Sequence, residues 1–153
     1  MNTPERDAPL RGSCLCGAVR FEVRRVLGPL ELCHCPKCRK VSGGPFMPGI
    51  RLKTEDYRLL SGRGAIRYYE CALEHEPPAY GGQFCRTCGA PVPPADPEGE
   101  QMEIAAGLFD ALPGIAPDRH IYIEHQASWY QRGDTWPTCT AAEILALRAA
   151  AED

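Results

Sequence analysis

From Ala18 to Val26, apolar residues (Val19, Phe21, Val23) alternate with polar ones (Arg20, Glu22, Arg24). A two-residue period marks a half-buried strand, because successive side chains point to opposite faces. A Gly28-Pro29 turn then leads to a short apolar strand, Leu30 to Cys33. Phe46 to Leu52 predicts another strand, with Pro48 at an edge or bulge because it has no amide to donate. Tyr57 to Leu60 and Ala65 to Glu70 flank Ser61-Gly62-Arg63-Gly64, a pattern that predicts a hairpin with a glycine-containing loop. Cys71 to Gly82 holds Pro77-Pro78 and Gly81-Gly82 and is expected to be a turn-rich loop, with Gln83-Phe84 a brief strand after it. Pro91 to Glu100 is proline-rich and acidic, which predicts a surface loop. Met102 to Gly107 and His120 to Glu124 predict further strands.

The character changes near the C-terminus. Thr140-Ala141-Ala142-Glu143 matches a capping box, in which hydroxyl and carboxylate each satisfy an orphan amide. A helix over 141–150 follows, with Ile144, Leu145, Leu147 and Arg148 among alanines. Residues 1–10 carry no regular pattern and are expected to form a flexible tail. The expectation is one mainly β domain over 11–153, closed by that short helix.

Composition narrows the function. The 153 residues carry a net charge of -3, so the basic excess of a nucleic-acid binder is missing. No stretch approaches the ~20 apolar residues of a membrane span. Met1 to Leu10 has neither the basic nor the apolar part of a secretion signal. A cytoplasmic location is therefore expected, and in a reducing compartment nine cysteines point to metal before disulfides. No phosphate-cradling glycine motif and no carboxylate pair suited to hydrolysis is present. Cys85-Arg86-Thr87-Cys88 lacks the βαβ setting of a thioredoxin-like motif.

Seven of the nine cysteines fall into three clusters: Cys14/Cys16, Cys33/Cys35/Cys38 and Cys85/Cys88. Each gap is short enough for neighbouring sulfurs to reach one zinc ion about 2.3 Å from each. A structural zinc takes four ligands, whereas a catalytic one keeps three and an open position. The seven divide as four plus three. Cys14, Cys16, Cys85 and Cys88 make a closed site that ties the first strand to a distant segment. Cys33, Cys35 and Cys38 make an open one that can receive a substrate thiolate. The alternative for the second site is completion by a distant ligand such as His34, His75 or Cys71. His34 lies between two ligands and is expected to point away from the metal. Cys71 and Cys139 have no partner spacing and are expected to be buried thiols. Gly17 and Gly89 follow the two pairs of the closed site and let the chain turn behind the ligands.

Gly12-Ser13-Cys14-Leu15-Cys16-Gly17-Ala18-Val19 and the run from Cys33 to Gly43 resemble the glutathione-dependent formaldehyde-activating family, which includes centromere protein V. Phe84 to Gly89 matches a third block, and His120-Ile121-Tyr122-Ile123 with Trp129 resembles the family's closing segment. The resemblance implies a mainly antiparallel, tent-like β fold related to zinc ribbons. It implies a structural zinc on Cys14, Cys16, Cys85 and Cys88, and a catalytic zinc on Cys33, Cys35 and Cys38. The implied activity is formation of S-(hydroxymethyl)glutathione from glutathione and formaldehyde, a carbon–sulfur lyase reaction. Glutathione carries two carboxylates, so Arg39 and Lys40, beside the middle cluster, are candidate contacts, as are Arg51 and Arg86. Ser42 with Gly43-Gly44 offers hydroxyl and amides to a ligand, or forms a simple turn. Two other functions fit the cysteines: a non-catalytic zinc module that binds a protein partner, and a zinc or redox sensor that releases metal on oxidation.

Overall fold

A computed structural model describes residues 8–70, 81–111 and 114–151. In chain order the strands are β1 (Leu10–Ser13), β2 (Arg20–Val23), β3 (Leu30–Cys33), β4 (Met47–Lys53), β5 (Tyr57–Ser61), β6 (Ile66–Glu70), β7 (Gly81–Cys85), β8 (Pro91–Val92), β9 (Gln101–Ala105), β10 (Arg119–Ile121) and β11 (Thr138–Cys139). Two helices join them, α1 (Pro36–Ser42) and α2 (Ala141–Ala150). The fold is mainly β, as the alternation predicts. Its residues group into two compact units, Met1–Pro29 with Ile50–Ile115, and Leu30–Gly49 with Ala116–Asp153.

In the first unit, β2 lies between β1 and β5, antiparallel to both. The predicted alternation holds along β2, where Phe21 and Val23 are fully buried and Arg20 is exposed. The Phe21 ring packs edge-on against Phe109, with centroids 5.8 Å apart, and tilts against Tyr57 at 6.0 Å. A second sheet has the order β6-β7-β8, all antiparallel. Residues Leu10 and Val92, which the sequence places in a tail and a surface loop, are both buried in strands.

The predicted hairpin between Tyr57 and Glu70 is not formed. β5 pairs with β2, and β6 pairs with β7. Gly62 supplies the reason: it has φ +88°, and a Cβ there would sit 2.2 Å from the Ala18 carbonyl oxygen. The chain turns against the Ala18–Val19 backbone and leaves for another sheet instead of folding back on β5. Gly62→Ala would meet both the left-handed backbone penalty and a clash with main chain. The expected loss is about 3 kcal/mol or more, seen as a lowered urea midpoint with an unchanged slope.

The proline-rich segment is also more ordered than a surface loop. β8 occupies the edge of its sheet, where Pro91 can sit without donating to a ladder. The Tyr57 hydroxyl donates to the Pro94 carbonyl at 2.9 Å, and Asp96 forms an ion pair with Arg63.

In the second unit, β10 runs parallel to both β3 and β11. Ile121 sits opposite Cys33 on one side and Cys139 on the other. The predicted strand over His120–Glu124 ends early. Tyr122 takes φ +55° and opens a 3-10 turn over Ile123–His125. Helix α2 has the capping box read from its sequence, with Glu143 N–H donating to Thr140 Oγ1 and Thr140 N–H donating to Glu143 Oε2. Ile144 is its buried anchor. Arg148, one turn further on, donates to the buried Glu31 of β3 at 2.7 Å, and Arg119 approaches the same carboxylate at 3.7 Å. Two guanidinium groups offset the desolvation of that carboxylate.

Helix α1 forms where no apolar periodicity predicts one. Its signal is Pro36, whose fixed φ suits the first helical position. Cys35 serves as the cap, its Sγ accepting from the Cys38 amide at 3.3 Å, and Gly43 ends the helix in the left-handed region.

Candidate metal centre

The sulfurs of Cys14, Cys16, Cys85 and Cys88 come together in the first unit, all within 4.8 Å of one another. Cys14 to Cys16 is 3.5 Å and Cys16 to Cys85 is 3.8 Å. Four sulfurs at the corners of a tetrahedron around zinc stand about 3.8 Å apart, given a bond of about 2.3 Å. The geometry therefore fits a four-coordinate ion. Two similar turns build the cluster. Gly17 N–H donates to the Cys14 carbonyl at 2.9 Å and Gly89 N–H to that of Cys85 at 2.8 Å, with φ +74° at both glycines. Amides also aim at the sulfurs, as Val19 N–H does at Cys14 Sγ, 3.3 Å away. The Cys88 amide is the main influence that brings the Cys85 thiol down to about 6, and the Ala90 amide lowers Cys88. Backbone amides thus favour thiolates at Cys85 and Cys88, whereas the neighbouring Cys14 thiol and burial push the Cys16 thiol up. Cys14 and Cys85 are buried beside Val19 and Val92, whereas Cys16 is exposed.

The second cluster lies wholly in the other unit. Cys33 ends β3, Cys35 caps α1 and Cys38 sits in its first turn, so one strand-to-helix corner presents all three sulfurs. They too lie within 4.8 Å of one another, and no fourth histidine, cysteine or carboxylate joins the group among the described residues. The three thiols act on one another. Hydrogen bonds from Cys33 and Cys38 stabilise a thiolate at Cys35, and the same contacts push the Cys33 and Cys38 thiols up. Three grouped sulfur donors suit a soft or borderline cation. Of the candidate fourth ligands, Cys71 and His75 lie outside the described residues. Cys139 is buried in the apolar cluster that includes Cys35 and Cys38, outside the sulfur group.

His34 points elsewhere, as expected, and its partner is informative. Its Nε2 lies 2.7 Å from His120 Nδ1, and His120 Nε2 lies 3.1 Å from Asp134. Asp134 accepts the Nε2 proton of His120, which leaves His120 Nδ1 to accept from His34 Nε2. His34 Nδ1 is then a buried lone pair with no partner. Burial, above all, lowers the His34 pKa to about 4, so its ring is neutral at pH 7. Phe46 and Tyr130 pack on the His34 ring at 5.5 and 6.2 Å, and Trp136 on His120 at 6.0 Å. In the sequence His34 stands out by its place between two cysteines and His120 by its place in the segment that resembles the family's closing one, but no local spacing links the two or marks Asp134.

Three of the other candidate residues lie on α1, whereas Arg51 lies in β4 and Arg86 directly follows β7, both in the first unit. Arg39 is half-buried, and its Nε is sealed from solvent without a partner. Lys40 is exposed in the last turn. Ser42 closes the turn after the helix: its hydroxyl donates to the Phe46 carbonyl at 3.0 Å and accepts from Gly44 N–H at 3.2 Å.

Fold and site define a mainly β protein with two cysteine clusters able to hold metal. Residues 9–125 match the family model described as glutathione-dependent formaldehyde-activating enzyme, so the chain belongs to that family. A Halomonas elongata protein that provisionally bears the same name is 28% identical over 129 residues, covering 80% of each chain. A crystal structure of a Rhodobacter sphaeroides protein is 24% identical with a TM-score of 0.49, covering 71% of this chain and 92% of that one.

Proposed function

We propose that the protein is a zinc-dependent carbon–sulfur lyase that joins glutathione to formaldehyde, giving S-(hydroxymethyl)glutathione in the cytoplasm. The observation that carries the reading is the contrast between the clusters, four grouped sulfurs in one and three in the other. Cys14, Cys16, Cys85 and Cys88 hold a structural zinc. Cys33, Cys35 and Cys38 hold a second ion with one position left for a ligand. Zinc bound there would accept the glutathione sulfur and keep it a thiolate at neutral pH, where free thiol is mostly protonated. The family name supports the thiol and aldehyde as the substrate pair.

The chain's own residues do the rest. The strand-to-helix corner fixes three sulfurs in one place, and β10 braces it, since His34 N–H donates to the Ile121 carbonyl at 3.0 Å. Arg39, with an unpaired Nε, and Lys40, one residue on, supply positive charge for the glutathione carboxylates. Holding thiol and aldehyde together converts a bimolecular encounter into a local one.

The test is metal content and lability on protein purified under reducing conditions. Two zincs per chain are expected, and glutathione should speed transfer of one of them to a chelator while leaving the other in place. A single ion indifferent to glutathione would reject the reading.

A further inference from the structure

Tyr122 is the sole non-glycine residue with positive φ among the described residues, at +55°. A bulky side chain in the left-handed region is costly, and such outliers concentrate where a side chain must be aimed. The restraints on Tyr122 lead to the three-cysteine corner. The preceding carbonyl, that of Ile121, accepts from the His34 amide, between Cys33 and Cys35. Tyr122's own carbonyl accepts from His125 N–H at 3.1 Å, closing the 3-10 turn. The residue is 7% exposed and packs in one apolar cluster with Cys35 and Cys38.

The hydroxyl, meanwhile, is unused. No side-chain hydrogen bond of Tyr122 exists among the described residues. The polar side-chain atoms sealed from solvent without a partner are His34 Nδ1, Arg39 Nε, Thr54 Oγ1 and Arg148 Nε. The Tyr122 oxygen is not one of them, so it reaches the surface. A strained, otherwise buried tyrosine thus packs in one cluster with Cys35 and Cys38 while its O–H has no partner among the described residues.

Resting on the reading above, we propose that Tyr122 is a catalytic residue whose hydroxyl hydrogen-bonds the formaldehyde oxygen during addition. In that step the glutathione thiolate attacks the carbonyl carbon and a C–S bond forms. The C=O π pair moves onto oxygen, where negative charge develops. Tyr122 donates a hydrogen bond to that charge without giving up its proton. Water then protonates the oxygen to give the hydroxymethyl group, replacing the proton that the thiol lost. Such donors act on charge that is larger in the transition state than in the substrate.

Tyr122→Phe keeps ring and backbone and removes only the hydroxyl. The variant should hold the same two metals and melt close to the wild type. Its catalysed rate, measured by exchange NMR above the spontaneous reaction, should fall about 100-fold in kcat, with little change in KM for glutathione. A binding readout is independent of turnover. Titrated alone, glutathione should bind both proteins equally. With formaldehyde present, wild type should bind the adduct about 5- to 10-fold tighter than the variant, the worth of one hydrogen bond. Equal rates and equal adduct affinities would overturn the proposal, and so would loss of a metal in Tyr122→Phe, which would make the hydroxyl a structural group. If wild type itself shows no catalysis above the spontaneous rate, it is the enzymatic reading that fails.

Discussion

Cys85→Ser should not merely weaken one metal site; it should abolish cooperative folding of the first unit. Cys85 is fully buried, and its sulfur meets that of Cys16 across 69 residues of chain. Closing so long a loop costs conformational entropy, and the apolar neighbours of the cluster are few: Val19 and Val92 are the buried ones. Structural zinc supplies roughly 10–16 kcal/mol of apparent binding energy in small zinc domains, whereas whole domains are stable by only about 5–15 kcal/mol. Losing a ligand from the closed site should therefore remove most of the unit's stability. The expected result is one zinc or fewer per chain, with no sharp thermal transition by circular dichroism. Cys139→Ala is the control: it removes a buried cysteine outside both sulfur groups and should retain two ions. A Cys85→Ser protein that melts within a few degrees of wild type with both ions bound would show that the cluster is incidental to the fold.

The second large effect concerns activity. Cys35→Ser removes the sulfur that caps α1 and the thiolate on which the other two converge. Serine can still cap the helix, since its oxygen accepts from the Cys38 amide as the sulfur does. The fold and the four-cysteine site should therefore survive, and the melting transition should remain sharp. A neutral hydroxyl is a far poorer zinc ligand than a thiolate, so the second ion should be lost and zinc should drop from two per chain to one. Catalysed formation of S-(hydroxymethyl)glutathione should fall at least 100-fold, toward the spontaneous rate, on the scale of losing electrostatic support for the reacting centre. Full activity in a one-zinc Cys35→Ser protein would place the chemistry elsewhere. The two variants separate cleanly, one failing in folding and the other in turnover.

Much of this was legible in the sequence, for a physical reason. Metal ligands must lie near one another, and turns of one to three residues bring sulfurs together whatever the rest of the chain does. Cysteine spacing therefore pointed to both groups. The alternation of Val19, Phe21 and Val23 marked β2, and Thr140 with Glu143 marked the start of α2, because those signals are also local. What stayed hidden depends on distant partners. The hairpin over Tyr57–Glu70 looked sound by its glycines, yet Gly62 is shaped by Ala18, not by the strands beside it. His120 is marked in the sequence only by its resemblance to the family's closing segment, and its pairing with Asp134 and His34 depends on distant partners. Tyr122 stands in the middle of the strand that the pattern predicts, and nothing in its neighbours announces a positive φ. Helix α1 could have been found from Pro36 following a residue able to cap.

The buried carboxylate of Glu31 bears on how the chain is made. Its closest arginine, Arg148, emerges from the ribosome 117 residues later, and the strand that flanks β3, β10, also comes late. The first unit, by contrast, has all four of its sulfurs once Cys88 is out. Synthesis at about 5–20 residues per second leaves several seconds between these events. During that interval Cys33, Cys35 and Cys38 are already present, while β10 and α2 do not yet exist to hold their corner. The nascent chain thus carries a ready thiol trio before its frame, so if both clusters take up ions, the order of uptake would be set by translation as well as by affinity.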